Sequence, residues 1–226
     1  MLRVIISLFA SLVASAAAFA DPAPQPRDGE RLVFDVFRAG DTRFGVHEIS
    51  FRQDGEDLLA DVRIRLRAGI GPVTLFRYEH DSIERWRDGA LLGLSGRTLK
   101  DGEVFEVNAR YAGGMIDVTG LDPELQPVAL ELEPSTLTSS HWHGYPAEMT
   151  RMLNTEHGTV MDTQVEYLGK TEIEGDGGAI LVDHYRLTSS LVLDLYYDEN
   201  GRWAGCEFEA RGQQVRYVRR ADPAAI

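Results

Sequence analysis

Apolar and polar residues alternate with a period of two along most of this chain. In Val62-Arg63-Ile64-Arg65-Leu66-Arg67 every second residue is apolar, which puts three side chains on a core face and three arginines on a wet face, the signature of a half-buried strand. Similar runs cover 31–38, 43–53, 57–68, 72–87, 90–99, 103–112, 115–119, 159–168, 178–189, 191–198, 202–210 and 213–219. Between them, Gln53-Asp54-Gly55-Glu56, Arg87-Asp88-Gly89, Lys100-Asp101-Gly102 and Asp198-Glu199-Asn200-Gly201 set Gly beside Asp or Asn, the chemistry of tight hairpins. No strand–helix alternation points to a parallel sheet. The pattern predicts an all-β fold, a long-stranded antiparallel meander that twists and curls into a half-barrel or open barrel.

Only residues 121–157 break the pattern. Leu121 to Pro134 reads as a Pro-punctuated acidic connection, and Pro146 to Leu153 as two turns of helix with Pro at the start. The expectation is a short helix or lid across one mouth of the curved sheet.

The first twenty residues are of another kind. Arg3 is followed by the apolar run Val4 to Val13, and Ala18-Phe19-Ala20 precedes Asp21, which together predict a cleavable secretory signal peptide and a periplasmic address. Asp21 stands where a lipoprotein would carry its modified Cys. Residues 21–29, with three prolines, are expected to be a flexible mature N-terminus, and 30–221 a single β domain. Cleavage would leave 22 basic against 36 acidic residues, a net charge of −14, which disfavours nucleic acid and anionic headgroups as partners. No membrane span is expected. Cys206 is alone, so the fold must hold by packing, with this thiol as a small core residue.

Candidate chemistry is sparse. His141-Trp142-His143 would put both imidazoles on one face if the segment were extended, where His157 or Glu148 would complete a metal set; no HExxH or CxxC spacing supports it. Ser139, Ser140, Ser189 and Ser190 lack a nucleophile elbow. Glu79, Asp81 and Glu84 stand beside Arg77, His80 and Arg85 and read as a solvated face with cross-strand ion pairs. The glycines near 69–71 and 113–114 have no phosphate-loop Lys and read as bends. No cofactor is implied. Aromatic residues fall on nearly every strand, and on a curved sheet they either fill the core or line an apolar cavity.

Three segments taken in order carry a family resemblance. They are Phe76-Arg77-Tyr78-Glu79-His80 with Glu84-Arg85-Trp86-Arg87-Asp88-Gly89, then Ser140-His141-Trp142 with Leu153-Asn154-Thr155-Glu156-His157-Gly158, then Leu195-Tyr196-Tyr197-Asp198-Glu199-Asn200-Gly201-Arg202-Trp203. Over about residues 31–219 the chain resembles the exported bacterial family called domain of unknown function 6134. That family is similar to another exported group, numbered 3108, and the resemblance implies a periplasmic half-barrel. It brings no catalytic residue. His143 and Tyr196 stand where the family pattern has Asn and Trp.

Three functional classes remain open. The first is non-catalytic binding of an apolar ligand, a lipid or isoprenoid, on the concave face, with Trp86, Trp142, Tyr197, Tyr78 and Phe76 as contacts and the 121–157 segment as lid. The second is an envelope protein-interaction module with a filled core. The third is a metal-assisted hydrolase built on His141, His143 and His157.

Overall fold

A computed structural model describes residues 25–70, 73–175 and 177–221. The predicted signal segment 1–20, residues 21–24 and the bend at Gly71-Pro72 lie outside the described residues. Eight strands form an uninterrupted meander: β1 (Arg31–Arg38), β2 (Thr42–Asp54), β3 (Asp57–Ile70), β4 (Val73–Arg87), β5 (Ala90–Lys100), β6 (Glu103–Ala112), β7 (Met115–Leu121) and β8 (Pro127–Leu132). A short hairpin of β9 (Arg151–Leu153) and β10 (Val160–Asp162) follows. The meander then resumes with β11 (Gln164–Gly175), β12 (Gly178–Thr188), β13 (Val192–Tyr197), β14 (Trp203–Ala210) and β15 (Gln213–Arg219). β15 pairs antiparallel with β1, so one thirteen-stranded antiparallel sheet runs from β11 through β15 and β1 to β8. It is not closed into a barrel: β8 and β11 remain its two edges.

The strands form where alternation and turn chemistry agree. In β3, Val62 is buried and Ile64 and Leu66 pack inward, while Arg63, Arg65 and Arg67 are exposed. Arg65 meets Asp81 of β4 at 2.6 Å on the outer face. The β4–β5 turn has Asp88 and Gly89 both at positive φ, 50° and 78°, the backbone a two-residue hairpin needs to match strand twist. Residues 27–30 are tied down rather than loose, since Gly29 N donates to Phe51 O at 3.0 Å and Gln53 N to Asp28 Oδ1 at 2.9 Å.

The segment 121–157 differs from the sequence expectation. Among the described residues it holds no helix. Leu121 ends β7, and residues 127–132 form edge strand β8, where Pro127 is tolerated because it sits at the strand's first position. Residues 133–163 then cross from one sheet edge to the other through the concave face. Trp142, Tyr145, Met152 and Leu153 pack there into one cluster with Phe34, Ile49, Phe51, Val62, Trp86, Leu94, Val107, Val118, Leu195 and Trp203. This segment is an internal plug, not a lid. Eight residues are too few to nucleate a helix in isolation, and the plug's apolar side chains gain more by packing against the sheet.

Two glycines let the plug's turn at 154–158 press onto the sheet. At Gly96 a Cβ would come within 3.1 Å of Thr155 O, and at Gly120 it would overlap the His157 carbonyl. Gly120→Ala should therefore destabilise the fold by about 1–3 kcal/mol or more, read as a lower urea midpoint. Gly93→Ala, whose Cβ would meet Ala109 O at 3.5 Å, should leave the midpoint nearly unchanged in this respect.

Candidate functional site

The plug divides the concave face into a filled part and an open end. The filled part is organised around Glu84. Along β4 the inward positions are His80, Ser82, Glu84 and Trp86, all buried, and Glu84 is completely inaccessible. Trp86 Nε1 donates to Glu84 Oε2 at 2.9 Å. From the plug, the Ser140 hydroxyl donates to Oε1 and Trp142 Nε1 approaches Oε2 at 3.4 Å. The Thr138 hydroxyl lies 3.1 and 3.2 Å from the two carboxyl oxygens and 3.1 Å from His143 Nε2, so it is shared between these acceptors. His143 Nδ1 donates to Gly144 O at 2.8 Å. Burial lowers the pKa of His143, and the charge of Glu84 opposes that shift.

A second tie uses two tyrosines. The Tyr145 hydroxyl donates to Thr138 O at 3.1 Å and lies 2.7 Å from His141 Nδ1, and the Tyr197 hydroxyl donates to His141 O at 2.9 Å. A third tie is at the tip, where Glu156 accepts from Tyr78 Oη at 3.0 Å, from Lys100 Nζ at 2.8 Å and from His157 Nε2 at 3.0 Å.

These contacts assign the residues singled out from the sequence. Trp86, Trp142 and Tyr197 are 4%, 7% and 6% exposed and bind the plug to the sheet, so they are not free to contact a ligand. His141, His143 and His157 do not converge. Residues 141–143 are not a strand, His141 has φ 63°, and the i, i+2 geometry therefore does not apply. His157 faces Phe105 and Leu121 O, and Glu148 is exposed. Among the described residues no three His, Cys, Asp or Glu side chains are placed to hold a metal. Of the carboxylates on β4, Asp81 makes the expected cross-strand ion pair, with Arg65 of β3, and Glu79 pairs on the same outer face with Arg77 of its own strand, but Glu84 makes neither. Its parity with Trp86 was the signal for that. Cys206 is a buried core residue.

Phe76 and Tyr78 are at the open end. There Val36, Leu66 and Val215 are buried, and Phe44, Ile64, Phe76, Tyr78, Phe208, Ala210 and Tyr217 pack on them while only partly covered. The guanidinium of Arg38 lies 5.9 Å over the Phe44 ring and that of Arg211 lies 5.1 Å over Phe76. Arg211, in the β14–β15 turn, also reaches Asp101 in the β5–β6 turn at 3.0 Å, bridging two walls of the curl. The sequence pattern alone does not mark Phe44, Phe208 and Tyr217 as contacts. Phe44 sits beside a bulge in the β1–β2 pairing, and a bulge hides which face a residue takes.

Two predictions come from these networks. Glu84→Ala strands two indole N–H groups and a serine hydroxyl in the core, and should cost about 3–5 kcal/mol; Glu84→Gln should cost less. Urea unfolding measures both, and a loss below 1 kcal/mol for the alanine variant would contradict the lock. The second concerns pH. Burial brings His80 down to about 4 against the opposing charges of Glu156 and Asp81, and His141 down to about 3 with help from His143. Both are neutral when folded but bind a proton near pH 6.5 once unfolded, so stability is full above pH 6.5 and falls as pH drops toward 4 and 3. For Glu156 burial acts upward, but hydrogen bonds and charge from His157 and Lys100 prevail and hold it at about 2, so its contribution is lost between about pH 4.5 and 2. The urea midpoint should be flat above pH 7 and decline steadily below 6.5, less steeply in His80→Gln; a flat profile from pH 7 to 4 would be inconsistent with this.

Comparisons with known proteins agree with the architecture. One solved structure, the crystal structure of a beta-barrel-like protein of domain of unknown function DUF1849 from Brucella abortus, superposes with a TM-score of 0.59 at 12% identity, over 84% of this chain and 94% of that one. At that identity the likeness shows the fold alone. No curated protein matches the chain. The family profile described as Domain of unknown function (DUF6134) matches residues 34–220, which hold all three plug ties and the whole open end: the chain belongs to the DUF6134 family.

Proposed function

We propose that the protein is an exported, non-catalytic binding protein that takes an apolar chain at the open end of its curled sheet. The observation that carries this reading is the ring of half-covered inward side chains, Phe44, Phe76, Tyr78, Phe208 and Tyr217, around Val36, Leu66 and Val215. A curled sheet whose remaining inner face is packed solid keeps an apolar patch of this kind only at some cost in water contact. Ten buried methylenes would contribute about 8 kcal/mol before association costs. The signal segment expected from the sequence of residues 1–20 would give the protein a periplasmic setting. No helix among the described residues is long and apolar enough to cross a membrane.

The interaction-module reading has a filled core in its favour. Of the two sheet edges, β8 and β11, the longer one, β11, argues against it. That strand carries Glu166, Lys170, Glu172 and Glu174 and a bulge at Leu168, features that blunt an edge against strand addition. The Glu84 cluster offers a hydrolase no approach for a substrate, since its carboxyl is sealed beneath two tryptophans.

Native mass spectrometry and organic extraction of protein purified without detergent, together with titration of the apolar fluorophore N-phenyl-1-naphthylamine, test the reading. Binding should weaken roughly tenfold in Phe76→Ala and Phe208→Ala and be unchanged in Ile83→Ala on the outer face. Protein at its bare mass that does not bind the fluorophore would sink the proposal.

A further inference from the structure

His47 is the one imidazole that neither the plug ties nor the sheet accounts for. It is 4% exposed, and neither ring nitrogen has a hydrogen-bond partner among the described residues. Its surroundings are aromatic: Trp203 at 5.2 Å, Tyr217 at 5.8 Å and Phe34 at 6.0 Å between ring centroids. Two unsatisfied buried nitrogens are expensive, and native folds seldom retain them without a partner of some kind.

The position of His47 suggests what the partner is. On β2 it is the next inward residue after Gly45, which pairs with Val36 and Leu66 of the open-end cluster. Its own partner on β3 is Ile64, and Ile64 and Tyr217 belong to both the main core and the open-end cluster. His47 therefore stands one residue pair deeper than the apolar ring, behind Leu66 and Tyr217. Resting on the reading of the open end as an apolar-chain site, we infer that His47 receives the polar end of that chain, and that this end is a neutral hydroxyl: the ligand is a long-chain or prenyl alcohol bound head inward.

The choice of a hydroxyl follows from hydrogen-bond inventory. A neutral imidazole has one N–H donor and one acceptor nitrogen, whichever tautomer is present. A hydroxyl both donates and accepts, so one group can pair with either nitrogen. A carboxylate can only accept, and burying it here would need a cation. The charged or titratable groups that bear on His47 are His141 and His80, and burial drives all three imidazoles toward the neutral form. Arg38 and Arg211 remain at the rim, over Phe44 and Phe76.

Displacement of N-phenyl-1-naphthylamine by 1-decanol, undecane and decanoate at pH 7.5, in the parent and in His47 variants, tests this. His47→Phe should weaken the alcohol roughly 3- to 10-fold relative to the alkane, the size of one neutral hydrogen bond, while keeping a urea midpoint at or above that of the parent, because it removes two unpaired nitrogens. In the parent the alcohol should compete more tightly than decanoate. His47→Gln, which keeps a donor and an acceptor, should retain part of the alcohol affinity and serves in place of the phenylalanine variant if that fails to fold. Three outcomes overturn the inference while leaving apolar-chain binding intact. They are an alcohol-to-alkane ratio unchanged in His47→Phe, preference for decanoate, or a lowered midpoint in both variants with that ratio unchanged, which would make His47 a group satisfied by buried solvent only. If the fluorophore itself does not bind, the open-end reading falls and this inference falls with it.

Discussion

A carboxylic acid placed at the centre of an apolar concave face is the constraint on which this fold depends. Strand parity directs Glu84 inward between Ser82 and Trp86, and among the described residues none forms an ion pair with it. A group of that kind is tolerable only if donors are brought to it. Trp86 supplies one from the same strand, and the others must come from outside the sheet. Residues 138–142 bring them, with Ser140 and Trp142 directed at the two oxygens. The need to satisfy Glu84 therefore selects a conformation for a stretch of chain that has no regular structure of its own.

That selection shapes the rest of the inner face. With Ser140 and Trp142 anchored, Tyr145 and Tyr197 fix the chain on either side of His141, and the 154–158 turn settles against Gly96 and Gly120. The apolar residues of the plug then complete a core that an open sheet could not close by itself. The same segment joins the two sheet edges, β8 and β11, so the curl is held by its contents rather than by hydrogen bonds around a full circle. What the plug does not reach is the end near Phe44, Phe76 and Phe208. Its openness is thus a consequence of where the plug's anchors lie along β4: Glu84 and Trp86 are engaged in the core, His80 is at the boundary, and Phe76 is beyond it.

The sequence made the sheet legible because nearly every strand keeps strict alternation and ends in a turn with Gly next to Asp or Asn. It made the plug illegible because plug residues answer to tertiary partners, not to their neighbours in the chain. Pro146 to Leu153 looks helical by composition and is not helical, since Met152 and Leu153 gain a core by staying extended. β8 has its own alternation, Val128, Leu130 and Leu132, but Pro127 obscured it. Trp86 lies on the inner face as its strand position implies, but there it meets Trp142 and the plug, because periodicity gives a side chain's direction and not what fills the space in front of it. Glu84 was grouped with Glu79 and Asp81 by charge when its even position already separated it from them.

The inner face also carries its polarity in a gradient that bears on function. Around Glu84 every donor is matched by an acceptor, and the geometry leaves a substrate no entry. At the boundary, His80 is satisfied by Thr98 at 2.8 Å and Ser82 at 3.1 Å, and Glu156 by three partners. Two strands away on β2, across Ile64 of β3, His47 is equally buried and has none among the described residues. A fully paired network next to an imidazole with two unpaired nitrogens is the arrangement expected where a fold leaves a hydrogen bond to be made by something else, and His47 adjoins the partly covered aromatic cluster through Ile64 and Tyr217. Polar satisfaction and apolar exposure, two independent properties, thus point to the same end of the molecule.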